Sequence, residues 1–164
     1  MTEPWKIAHV NFREDDGSLP TIEFDELRES SVASIFGQFR SRGSFAGAEP
    51  TVWDKPGEIE RPLRSLEDPC ELLFEGRIEP FHCCFDGIEF DQTQLPRLGL
   101  FVFRDSIEID YRMGPERNAR TTDSFLRFIA HLKALAPEAV VKSAEGEGVP
   151  DEDAFFSALR AYLD

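Results

Sequence analysis

The sequence predicts an α+β fold: a mainly antiparallel sheet of hairpins packed by about three amphipathic helices. Three observations predict it. Several short runs in the middle of the chain alternate apolar with polar residues, the period of a half-buried strand. Three other stretches carry apolar residues at helical spacing. The elements follow one another as strands, helix, several strands, helix, a late strand and a final helix, without the regular alternation that builds a parallel sheet. For 164 residues one domain, 1–164, is the expectation.

Taken in order, "WKIAHVNF" at 5–12 alternates Ala8, Val10 and Phe12 with more polar neighbours and reads as a strand. "EDDGS" reads as a turn and "TIEF" as the returning strand. The acids of that turn do not fit a calcium loop, because counting back from Gly17 puts Phe12 in the first ligand position. "SSVASIFGQFRSRG" places Val32, Ile35, Phe36 and Phe39 on one helical stripe that Gly43 ends. Residues 43–70, broken by prolines and glycines, read as a long irregular segment. Within it Trp53 is a candidate anchor for a partner.

"ELLFEG" reads as a strand. "PFHCCFDGIEF" at 80–90 reads as a hairpin, with Asp86 and Gly87 in a two-residue turn. That register puts Phe81, Cys83, Phe85, Ile88 and Phe90 on one face, and His82, Cys84, Glu89 and Asp91 on the other. "LGLFVF" is apolar on both sides, as in a strand inside a sheet or under helices on both sides, and the short "RDS" turns it into "SIEIDYRM". There Ile107, Ile109 and Tyr111 alternate with Glu108, Asp110 and Arg112. "TTDSFLRFIAHLKALAP" is the clearest helix, capped by Thr122 or Asp123. "AVVKSA" is a late strand, and Asp151 or Asp153 opens a last helix carrying Phe155, Phe156 and Leu159.

The formal net charge of −14 sets the chain against phosphate backbones and anionic membranes, so neither nucleic acid nor a membrane is expected as partner. It would instead attract a basic protein. The opening residues lack the basic and apolar regions of a secretory signal, and three cysteines, two of them adjacent, make a poor disulfide framework. Free thiols and a cytoplasmic setting are the expectation.

Candidate chemistry is sparse. His82 and Cys84 carry ligand-type groups on one strand face, but no CxxC, HExxH or HxH motif supplies the rest of a zinc site, so no metal is assigned. Arg112, Arg117 and Arg120 precede a helix start and are candidates to hold an anion. No phosphate loop, dinucleotide fingerprint or nucleophile elbow occurs, and no cofactor or catalytic residue is assigned.

The reading is a non-enzymatic, acidic protein-binding domain, with Trp53, Glu89, Asp91, Glu108 and Asp110 as candidate contact residues. The alternatives are a protein or enzyme for a small anionic ligand, and a zinc-binding protein. In size and acidity the chain is similar to the immunity proteins that accompany bacterial polymorphic toxins. That likeness implies an inhibitor of a cationic toxin, and it transfers no residues.

Overall fold

The structure is a computed structural model and describes residues 2–163. It is α+β. A six-stranded antiparallel sheet has the order β10-β1-β9-β8-β5-β2. Its strands are β1 (Thr21–Asp25), β2 (Ser44–Phe45), β5 (Phe81–Asp86), β8 (Leu98–Val102), β9 (Ile107–Tyr111) and β10 (Val140–Ser143). Two small ribbons flank it, β3 (Thr51–Asp54) with β4 (Ile59–Pro62), and β6 (Glu89–Phe90) with β7 (Thr93–Gln94).

The three expected helices form. The first, α2 (Glu29–Arg42), buries Val32, Ile35, Phe36 and Phe39. The longest, α4 (Ala119–Leu135), begins a turn earlier than expected, because Asn118 and Thr121 cap each other reciprocally. The last, α5 (Glu152–Arg160), starts at Asp151, whose carboxylate accepts from the Ala154 amide at 3.0 Å. Helices α2 and α4 lie on one side of the sheet. Phe36 meets Phe81 at 5.6 Å, and Phe39 sits 5.4 Å from both Phe85 and Phe128. Aromatic rings therefore fill the layer between helices and strands, each burying a large area.

Four local readings are corrected. The expected first strand is instead α1 (Pro4–Ala8) followed by a 3-10 turn over His9–Asn11. Ala8, Asn11 and Phe12 are the buried residues there, a helical spacing, and Pro4 occupies the first turn, where its missing amide costs nothing. "ELLFEG" belongs largely to α3 (Pro69–Phe74), since Asp68 caps the Glu71 amide and Pro69 opens the helix.

Residues 43–70 hold β2, the β3–β4 ribbon and a 3-10 turn over Leu63–Ser65 rather than an irregular loop. The hairpin at Asp86–Gly87 does not form either. Gly87 takes the left-handed conformation, at φ 72°, but Asp86 does not, and a type I′ turn needs both. That turn lies instead at Asp91 and Gln92, φ 52° and 61°, between β6 and β7. Strand β5 pairs with β8 and β2, and Ile88 turns into the core against Gly43.

The β8–β9 hairpin forms as expected, with Leu100 opposite Ile109. Strand β8 is central in the sheet, yet it is covered on one side only. Phe101 and Phe103 stack on each other on the other side, 4.6 Å apart and nearly parallel, both half-buried.

Candidate functional site

Antiparallel register decides which side chains share the open face. His82 lies opposite Phe101, and Phe101 lies opposite Glu108. Glu108 is opposite Glu23, and Glu23 is opposite Lys142. One row of the face thus runs His82, Phe101, Glu108, Glu23, Lys142 from β5 to β10. The next row runs Cys84, Gly99, Asp110, Thr21. His82 and Lys142 are exposed and Glu23, Cys84, Phe101, Glu108 and Asp110 half-buried, whereas the alternate positions on the same strands are the buried core.

The centre of this face is a gap. Gly99 offers no side chain, and a Cβ there would collide with the Asp110 carboxylate atoms. Asp110 therefore lies over the Gly99 backbone and reaches past β8 to His82, where Oδ2 sits 2.9 Å from Nε2. The imidazole keeps 40% of its surface exposed and Asp110 keeps 18%. The hydrogen bond to Asp110 raises the His82 pKa above its ordinary value, and partial burial opposes it.

Around this pair the face is crowded with negative charge. Partial burial raises the Glu108 pKa first, and repulsion from Glu23 and Asp110 raises it further. Among the described residues neither Glu23 nor Glu108 forms a salt bridge; Lys142, opposite Glu23, reaches Asp25 at 3.1 Å. Like charges directly opposite each other destabilise a strand pair. The arrangement is one that an added cation would relieve.

A cleft of about 450 Å³ opens here, lined by Leu19, Thr21, His82, Phe101, Glu108, Asp110 and Glu147. Its chemistry is that of a receptor for a positive group with an apolar flank, since carboxylates and the Phe101 ring line it together. It is a poor nucleophile site. Burial and the Asp110 charge raise the pKa of Cys84, so the thiol stays protonated. Cys83 points into the core, and burial pushes its pKa to about 12. Among the described residues no group of three or more His, Cys, Asp and Glu side chains is gathered to hold a metal ion.

The remaining sequence candidates fall elsewhere. Glu89 and Asp91 belong to the β6–β7 ribbon, so the face imagined for them with His82 and Cys84 is not assembled. Asp91 instead lies 4.0 Å from Arg127 on α4. Trp53 stands on β3, 42% exposed, away from the sheet row.

The arginines do not converge. Arg112 is exposed at the end of β9, and Arg120 donates to Thr93 Oγ1 and the Gln92 carbonyl. Arg117 is buried to 2%, its guanidinium 5.1–5.6 Å from the centres of the Phe12, Tyr111 and Phe125 rings. Its Nε donates to the Arg112 carbonyl at 3.0 Å. An aromatic cage of this kind stabilises a buried cation and leaves no opening for a ligand.

Sequence reasoning placed Glu108 and Asp110 on one strand face. It missed Glu23, Phe101 and Gly99 as members of the same surface. The one available signal was a glycine inside the otherwise bulky "LGLFVF", the mark of a close approach within a strand.

No described helix is long and apolar enough to cross a membrane. The chain matches no protein-family model, no curated protein and no solved structure.

Proposed function

We propose that the protein is a binding module that docks a basic protein on the open face of its six-stranded sheet. The observation that carries this reading is the pair Glu23 and Glu108, facing each other on adjacent strands with no salt bridge among the described residues, beside Asp110 and the half-exposed Phe101–Phe103 stack. Charged groups of one sign steer an oppositely charged partner to the surface, and an aromatic centre supplies the desolvated contact that holds it. The net charge of −14 adds long-range attraction. In its narrower form the reading is an inhibitor that covers the cationic active site of a toxin in the cytoplasm. Chain size and acidity support that form.

Affinity capture from the native host tests the reading, with the wild-type chain and an E23Q/E108Q variant side by side at low and high salt. A basic protein retained by the wild type at low salt, released by salt and not retained by the variant is the expected result. Equal retention by both chains would remove the sheet face from the account.

A further inference from the structure

The open face has a definite recess, and its walls differ in kind. We propose that the cleft lined by Phe101, Glu108 and Asp110 takes an arginine side chain of the partner, in preference to lysine. This rests on the docking role of the face and specifies the group recognised there.

The first argument is shape. Phe101 stacks on Phe103 with 7° between the ring planes, and the His82 ring lies 5.6 Å from Phe101 at a tilt of 48°. A planar guanidinium can lie against this aromatic wall, while a compact, strongly hydrated ammonium gains less there.

The second argument is the disposition of acceptors. Asp110 uses Oδ2 to hold His82, and among the described residues no hydrogen bond engages its Oδ1. Glu108 lies two residues away on the same side of β9, opposite Glu23, and neither makes a salt bridge among the described residues. Glu147 lines the same cleft from the loop beyond β10. Five N–H donors in a fixed fork can engage several separated carboxylates at once, which three donors on a point charge do less well.

The third argument is the depth of the recess. Gly99 lowers its floor so that Asp110 lies flat across β8 rather than standing up into solvent. The apolar rim of Leu19, 38% exposed, can cover the methylene stem of an arginine.

The test uses three short, capped peptides identical except for three arginines, three lysines or three citrullines, added to isotopically labelled protein and followed by NMR. The arginine peptide is expected to shift the Gly99 amide and the Phe101 ring protons. The lysine peptide should bind about fivefold more weakly, in line with guanidinium–aromatic and multidentate preferences. The citrulline peptide should produce no shift, and E108Q should weaken the arginine peptide by a similar factor.

Equal binding of arginine and lysine peptides would overturn the arginine preference and leave the docking reading intact. No binding of either, even at low salt, would overturn both. Shifts of the same residues on raising the protein concentration alone would assign the face to a second copy of the chain, and would also overturn the proposal.

Discussion

Asp110 reaches His82 across an intervening strand because residue 99, between them, is glycine. The carboxylate lies where any Cβ at 99 would be, and its Oδ2 meets the imidazole at 2.9 Å. Gly99→Ala is therefore expected to expel Asp110 from the floor of the cleft, although alanine suits a strand better than glycine does. The cost should be about 1–2 kcal/mol, the usual price of overpacking a close contact, read by urea denaturation. In the same variant the His82 pKa, followed by NMR, should fall back toward its ordinary value.

The His82–Asp110 pair also sets a pH dependence. The folded pKa of His82 is raised above the ordinary 6.5, so the folded state binds the proton more tightly than the unfolded chain. The stabilisation is then fully present below pH 6.5 and is lost as pH rises through the folded value. Denaturation curves across this window should show wild type losing stability relative to Asp110→Asn. Parallel curves for the two proteins would show that the pair is uncoupled from folding.

Glu138 gives the opposite sign. Its carboxylate accepts from the Arg28 amide at 3.0 Å and also holds Ser31, capping α2 from a distant loop. These hydrogen bonds, the Ser31 contact first, lower its pKa from 4.5 to about 2. Its contribution is present above pH 4.5 and fades as pH falls toward about 2. Glu138→Gln should be less stable than wild type at neutral pH, and the gap should close on acidification.

What could be read from the sequence was whatever depends on local period. The alternation in β9 and the stripes of α2, α4 and α5 are set by neighbours a few residues apart, and they form as expected. Strand pairing is not local. Strand β1 lies between β9 and β10, both more than eighty residues away, so no local pattern announces that Glu23 faces Glu108. The Asp86–Gly87 pair is a strong local turn signal, but Ile88 has a better place against Gly43 in the core, and tertiary packing prevailed. Arg117 shows the same effect. Its sequence neighbours suggest a basic cluster, while its contacts are aromatic.

Arg117 makes a prediction of its own. Arg117→Ala would leave a hole among Phe12, Tyr111 and Phe125 and is expected to cost about 2–5 kcal/mol, as other large-to-small core changes do. Arg117→Met fills most of that volume without burying a charge, whose desolvation lowers the guanidinium pKa to about 10. Methionine should therefore lie within about 1.5 kcal/mol of wild type. Equal losses in the two variants would mean that the cation, rather than the packing, holds this region together.

Whether a basic partner sits on the open sheet face is tested by placing a photo-crosslinking phenylalanine analogue at Phe101 in the native host, with a separate variant carrying the analogue at Trp53. Phe101 lies beside Glu108 in the row across the open face, and Trp53 stands on the separate β3–β4 ribbon. Irradiation is predicted to join position 101 to a protein rich in lysine and arginine, in a yield that falls with salt and with the E23Q/E108Q change. Adducts at position 53 alone, or at position 101 with proteins of no net positive charge, would contradict the account.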